Sequence, residues 1–285
     1  MHEWGEIDRM AASIVALLKD RQLRETMGEK GCASVRERFD PTNLTRQFMS
    51  LLLDAAKKRK ASLCIAPPKA PTIDRLMHLS SSAFSLLRAL QYEQIKGIKL
   101  SGKTLDVGGG QYNTYYDLLN IDGDIESVNI DEKYKPTIIA DLNNPLSVSS
   151  ETYDNVLCFN TLEHIYKDSL AVKEMLRILK SGGTFYITVP FLFKIHGSPH
   201  DYHRHTHSWW QALMTDCGIK EYNLVIKPLV WGTCSSAYSF TRFPRLQSIQ
   251  KKCVMLIDWM LYKCGIAKPS DYMNNALGYF IYGTK

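Results

Sequence analysis

The chain lacks most of the features that would place it outside a cell, across a membrane or on a cysteine-bound metal. Its 285 residues include seven cysteines, an odd number with no C-x-x-C pair. That argues against a disulfide framework and a zinc ribbon, and for reduced thiols in a cytoplasmic protein. No run approaches the ~18 uninterrupted apolar residues of a spanning helix. Acidic and basic residues break every early apolar stretch, so no secretory signal is expected. There is no long Lys/Arg patch, and the net charge is only +6, a weak footprint for nucleic acid. What charge bias exists lies at the end: residues 240–285 carry seven Lys/Arg against two Asp/Glu. This stretch is compatible with an anionic substrate or a lipid surface, and equally with a solvated face. Within it, "CVMLIDWMLYKCGI" is the most apolar segment, interrupted by Asp258 and preceded by Lys251 and Lys252. It reads as a buried or interfacial helix.

What is present is ordinary for a soluble globular protein, with 45% hydrophobic and 22% charged residues. Residues 1–60 read as helices. Ile7, Met10, Ile14, Leu17 and Leu18 recur near the 3.6 period, and a second run carries Leu23, Met27, Val35 and Phe39. Pro41 breaks that run, and Leu44, Phe48, Leu51 and Leu52 mark a third helix. Residues 61–72, with three prolines, read as a linker. Thr72 is placed to cap one helix running from Ile73 to Leu90. From Lys103 strands alternate with helices: "KTLDVGGG", "SVNIDE", "TIIADL", "YDNVLCFNTL", the helix "LAVKEMLRILK", then "GGTFYITVP". The expected fold is α/β, a doubly wound sheet over residues 73–285 with an N-terminal helical appendage. "ALGYFIYGTK" is expected to add an edge strand.

The strand ends carry the chemistry. Gly108, Gly109 and Gly110 follow Asp106 and allow close approach of a ligand to the backbone and to the next helix's free N–H groups. The dinucleotide fingerprint G-x-G-x-x-G is incomplete, because position 113 is Asn. Asp131 ends the second strand, where a carboxylate can accept both hydroxyls of a ribose. Asp141 ends the third, within reach of an adenine amino group. One such acid is as readily a helix or turn cap; acids in register at three consecutive strands favour a cofactor.

Taken together, "LDVGGG", "VNID", "ADL", "YDNVLCFNTLEHI" and "LRILKSGGTFYITVP" resemble a class I S-adenosylmethionine-dependent methyltransferase of the type 11 group. The resemblance implies S-adenosylmethionine as cofactor and S-adenosylhomocysteine as product. It sets Asp106, Gly108 and Gly110 beside the methionine part, Asp131 on the ribose, Asp141 with Leu142 near the adenine, and Asn160 near the sulfonium. Tyr112 stands where many members have a third glycine. The stretch "VPFLFKIHGSPHDYHRHT" further resembles a subgroup associated with bacterial surface polysaccharides, through Pro190, Phe191, His196, Pro199, Asp201, Tyr202, Arg204 and Thr206. Separately, "IVALLKDRQLRETMGEKGCASVRERF" and the residues after it resemble the C-terminal tail of a family-4 GT-B glycosyltransferase. That second resemblance implies a piece of a longer glycosyltransferase–methyltransferase fusion, without the nucleotide-sugar site.

Five of the eight histidines lie between Ile195 and Trp210, and three readings of that loop compete. A metal site is disfavoured, since no pair has helical i, i+4 spacing backed by a carboxylate and no cysteine helps; no metal is expected. A structural loop would have Thr206 or Ser208 capping the helix that follows. The favoured reading is an acceptor pocket, with His196, Asp201 and His164 as candidate bases and His200, Tyr202 and Arg204 as acceptor contacts. The leading expectation is methyl transfer to a sugar hydroxyl of a glycan or its lipid-linked precursor, in the cytoplasm or at the inner face of a membrane. A nucleic-acid or small-molecule methyltransferase is one alternative, against which the fourth strand ends in "FNTLEH" and not in an Asn/Asp-Pro-Pro-aromatic motif. A non-catalytic module that binds cofactor or glycan and docks a glycosyltransferase is the other.

Overall fold

The computed structural model describes residues 7–38, 40, 45–46, 48–51, 64–197, 199–241 and 246–285. The chain divides into two units, residues 1–59 and 60–285. In the first, α1 (Ile7–Lys19) and α2 (Arg21–Arg38) meet at Asp20. The Asp20 carboxylate accepts from the Leu23 N–H at 2.9 Å, capping α2. Arg24 reaches back to the carbonyls of Leu17 and Leu18 at 2.6 and 2.8 Å, closing α1. The expected apolar stripe is present, yet Ile7, Met10, Ile14, Val15 and Leu18 are exposed. Most of the third expected helix, Leu44 and Leu52 included, lies outside the described residues.

In the second unit, α3 (Ile73–Ser81) and α4 (Leu86–Ile95) stand where one helix was expected. Serines break it: Ser82 Oγ takes the Phe84 N–H and Ser85 Oγ takes the Arg88 N–H, each offering the backbone a substitute for the helical bond. Thr72 caps α3 through the Arg75 N–H. The strands that follow are β1 (Lys99–Ser101), β2 (Thr104–Val107), β3 (Asn120–Asp122), β4 (Ile125–Asn129), β5 (Ile138–Ile139) and β6 (Tyr153–Phe159). Helix α5 (Asp168–Ile178) leads to β7 (Leu179–Pro190), and α6 (His207–Asp216) leads to β8 (Leu224–Leu229). Helices α7 (Thr233–Thr241) and α8 (Gln247–Lys263) precede β9 (Gly278–Thr284).

The main sheet has the order β5-β4-β2-β6-β7-β9-β8, with β1 and β3 paired apart from it. The strands from β5 to β7 are parallel, and β9 is antiparallel to both its neighbours. This is a Rossmann-like, mostly parallel sheet, as the sequence led one to expect. Its strands alternate between two cores, as period-2 side chains must. Val156, Cys158, Phe185, Ile187, Tyr279 and Ile281 pack with Val172 and Met175 of α5 and Trp210 and Met214 of α6. Leu157, Phe159 and Phe280 pack on the other face with Leu79, Leu87, Leu90 and Ile95 of α3 and α4 and Met255 of α8.

Two expectations need correction. β9 is interior, because Tyr279, Phe280 and Ile281 are buried on both faces; β8 is the outer strand, and the proline-rich segment runs beside it, with the Ala66 N–H donating to the Ile226 carbonyl at 2.9 Å. And no α-helix follows the glycine loop. A 3-10 turn at Tyr116–Leu118 stands there, since Asn113, Tyr115 and Tyr116 fold inward onto Asp106. The apolar segment of α8 is buried on one side only: Met255 and Asp258 are inside, while Ile249, Leu256, Ile257 and Met260 are exposed. Asp258 takes the N–H groups of Cys234 and Ser235 at 2.9 and 2.8 Å, closing the first turn of α7.

Candidate active site

The chain runs outward from β2 to β4 and β5, then returns to β6 on the other side of β2. The crevice at this reversal, beyond the carboxyl ends of β2 and β6, is where open α/β sheets bind ligands. Gly108 leaves β2 at φ 82°, and a Cβ there would lie 2.1 Å from Thr161 Oγ1. A Cβ on Gly110 would lie 2.6 Å from the Tyr134 carbonyl. Only glycine lets the loop pass between the ends of β4 and β6. Asn129, which the sequence reading did not single out, staples the loop by donating to the carbonyls of Gly108 and Gly109 at 3.0 and 3.1 Å.

Asp106 is wholly buried. Its Oδ2 accepts from the hydroxyls of Tyr115 and Tyr116 at 2.5 and 2.7 Å and from Asn113 Nδ2 at 2.9 Å. Its Oδ1 is buried with no partner. Burial pushes this carboxyl up to about 6, against the three donors, which pull it down. Asn160, just past β6, sits at φ 51°, a left-handed conformation that Asn tolerates. Its Nδ2 donates to Gln91 Oε1 at 2.7 Å, and its Oδ1 is likewise buried and unpartnered. Two residues picked from the sequence as cofactor contacts thus each keep one buried acceptor unspent, the signature of a missing polar partner.

The other acids are engaged locally. Asp131 lies past β4, takes the Lys133 N–H at 3.0 Å and pairs with the Lys133 ammonium; that bond holds its carboxyl below the usual range. Asp141 accepts from the N–H and side chain of Asn143 at 2.9 and 2.8 Å and from Asn144. Leu142 is buried in the α5-side core.

Beyond β6 and β7 the histidine loop folds over the turn Leu162–His164. Asp201 organises it. Its side chain is 3% exposed, forks to Arg204 at 2.5 and 2.6 Å, and takes the His196 N–H at 2.9 Å. Burial would raise this carboxyl, but Arg204 and the His196 N–H outweigh it and hold it low. His164 Nδ1–H donates to the His200 carbonyl at 2.5 Å, and the Tyr202 N–H donates to the Glu163 carbonyl at 2.7 Å. The rings of His164 and His196 meet edge to face at 5.2 Å. Burial holds His196 below its ordinary value. His200 and Tyr202 are exposed at the surface of the loop.

The structure therefore brings His196, His164 and Asp201 together, and adds Glu163, which the sequence reading passed over. Glu163 is 2% exposed, both its carboxylate oxygens lack a hydrogen-bond partner, and its Oε1 lies 3.8 Å from Nε2 of both His164 and His196. Burial pushes it up to about 8. Two further histidines are engaged within the fold: His205 donates to Asp168 Oδ2 at 2.7 Å and stacks on Trp209, and His203 donates to the Tyr166 carbonyl at 3.0 Å. Thr206, and not Ser208, caps α6 through the Trp209 N–H.

Residues 84–187 match the methyltransferase-domain family. No curated protein sequence matches the chain. Among solved structures, an S-adenosylmethionine-dependent methyltransferase from Archaeoglobus fulgidus is similar at 14% identity and TM-score 0.43, over 70% of this chain and 92% of that one. One from Thermotoga maritima is similar at 16% identity and TM-score 0.42, over 71% and 90%. Phosphoethanolamine N-methyltransferase 2 of Haemonchus contortus, solved with phosphomonomethylethanolamine and S-adenosylhomocysteine, is similar at 11% identity and TM-score 0.42, over 70% and 52%.

Proposed function

We propose that the chain transfers a methyl group from S-adenosylmethionine to a sugar hydroxyl of a bacterial surface polysaccharide or its lipid-linked precursor. The observation that carries the reading is a convergence at the carboxyl ends of β2, β6 and β7. The glycine loop and the unspent oxygens of Asp106 and Asn160 stand on the cofactor side, and Glu163, His164 and His196 on the other. The two free acceptors fit the α-ammonium and polar methionine end of the cofactor. S-adenosylmethionine supplies the methyl group on a positively charged sulfur. Transfer of that methyl group to a hydroxyl would release the hydroxyl's proton, which a base must take. His196, with Nδ1 turned to the Lys194 carbonyl and Asp201, keeps Nε2 free to receive it. Asp201 and Arg204 act as positioning residues that hold the loop and, through it, His196.

The sugar assignment is supported by the loop's resemblance to the polysaccharide subgroup and by the separate glycosyltransferase-like segment. A lipid-linked acceptor is supported by α8, whose exposed Ile249, Leu256, Ile257 and Met260 are flanked by exposed Lys252 and Lys263, the composition of a helix lying on an anionic bilayer. No helix among the described residues is long and apolar enough to cross a membrane. The test is calorimetric titration with S-adenosylmethionine, then methyl transfer to nucleotide sugars, glycan oligosaccharides and RNA. Micromolar cofactor binding with transfer to a glycan is expected. No binding at high micromolar cofactor defeats the reading, and methylation of RNA alone replaces it.

A further inference from the structure

We propose that Glu163, His164 and His196 form a binding site for a divalent first-row transition cation, zinc above all. Their ligating atoms all lie within 4.8 Å of one another. Glu163 Oε1 is 3.8 Å from Nε2 of each histidine. Tetrahedral ligands on bonds of about 2.1 Å stand about 3.4 Å apart, so the two Glu163–histidine distances need to close by only a few tenths of an ångström.

Three features separate this group from a chance cluster. First, Glu163 is 2% exposed with both oxygens unpartnered. A buried carboxyl with no donor is costly unless a cation or proton completes it. Second, both imidazoles are anchored through the far nitrogen. His164 Nδ1–H donates to the His200 carbonyl at 2.5 Å. His196 Nδ1 faces the Lys194 carbonyl at 3.3 Å and Asp201 Oδ2 at 3.4 Å. Each ring therefore presents an unprotonated Nε2 toward Glu163, with a carbonyl or carboxylate behind it, as metal-ligating histidines do. Third, the neighbouring group of Asp168, His203 and His205 is spent within the fold: His205 bonds Asp168 and His203 bonds the Tyr166 carbonyl. Of these two groups among the described residues, only the first has a carboxylate with no hydrogen-bond partner.

Two histidines and one carboxylate leave a position open on the cation, the arrangement of a catalytic and not a structural site. An acceptor hydroxyl bound there is more acidic, so the cation would supply by charge what free His196 supplies as a base. Only this role rests on the proposed methyl transfer; the binding site itself does not.

The test uses the full chain, stripped with a chelator and titrated with zinc alone by calorimetry, with cobalt(II) absorption as a second readout of ligand geometry. Cofactor binding on the same stripped sample is measured separately, so loss of the methyltransferase reading and loss of the metal site are read independently. One equivalent is expected to bind. Glu163→Gln, which keeps shape and removes charge, should weaken it at least about tenfold, as should His164→Ala. Failure of the wild-type chain to bind zinc overturns the proposal. So does binding that survives Glu163→Gln and His164→Ala, or that His203→Ala removes instead. Circular dichroism of each variant guards against misfolding, and Glu163→Asp, expected to restore part of the cobalt spectrum, keeps the test valid if His164→Ala does not fold.

Discussion

Tyr115 donates its hydroxyl to Asp106 Oδ2 at 2.5 Å, while the other oxygen of the same carboxylate, buried beside it, has no partner. The arrangement keeps Asp106 in one orientation yet leaves it only partly compensated. Burial accordingly raises its pKa from 3.8 to about 6. For an acid raised on folding, the folded state binds the proton more tightly than the unfolded one. The stabilising contribution is then complete below pH 3.8 and is lost as pH rises through about 6. The shift is worth about 3 kcal/mol. Denaturant unfolding of the chain against Asp106→Asn, from pH 4 to 7, should show that slope in the first and lose it in the second.

The same carboxylate gives cofactor binding the opposite trend. A cationic ammonium prefers ionised Asp106, so affinity for S-adenosylmethionine should fall about tenfold per pH unit below about 6. Tyr115→Phe removes a donor that favours the ionised form, and the midpoint should move upward. Calorimetry between pH 5 and 8 measures both; a flat profile removes Asp106 from the cofactor contact.

Gly108 and Gly182 share nearly the same backbone, φ 82° and φ 80°, but not the same surroundings. Nothing lies within 4 Å of a Cβ on Gly182, whereas a Cβ on Gly108 would meet Thr161. Gly182→Ala should cost only backbone strain, about 1 kcal/mol. Gly108→Ala adds a clash at the cofactor loop and should cost about 3 kcal/mol or more, along with cofactor affinity. Thermal melts with and without S-adenosylmethionine compare the two.

How far the sequence could be read follows from which forces are local. The strands, the glycine loop, and Thr72 and Thr206 as caps were legible because glycine, cap and period-2 patterns act over a few residues; Asp106 and Asn160 were named through the family resemblance. The rest depends on partners far along the chain. Glu163 reads as one acid in "LEHI"; only the histidine loop folding over it shows that its carboxylate is buried and unpaired. The helix expected after the glycines is replaced by a 3-10 turn because three side chains bond Asp106 instead. β9 reads as an edge strand until its pairing between β7 and β8 shows both faces covered.

Arg204 is the hinge of the histidine loop. Its fork with Asp201 is largely buried, and removing one partner of such a pair leaves an uncompensated charge, at about 3 kcal/mol. Arg204→Ala should lower turnover and loosen the loop while leaving cofactor affinity intact, and Arg204→Lys, which lacks the planar fork, should not rescue it. His196→Ala should lower turnover about a hundredfold or more, again with cofactor affinity unchanged. An unaltered turnover number removes His196 from the reaction.

Helix α8 offers the last test. Ile249, Leu256, Ile257 and Met260 fall at seven-, four- and three-residue spacings on its exposed side, and Lys252 and Lys263 are exposed near them. Leaving such a stripe in water is unfavourable, and laying it on a bilayer recovers ~25 cal/mol per Å² of apolar surface covered. Each lysine near anionic headgroups adds about 1 kcal/mol. Flotation with vesicles of anionic and of purely zwitterionic lipid should show binding to the first and little to the second. Ile257→Glu with Met260→Glu should abolish it without changing cofactor affinity, since both side chains point away from the core that α8 covers. Equal binding to the two vesicle types would leave the lysines without a role, and no binding to either would remove the membrane from the acceptor assignment.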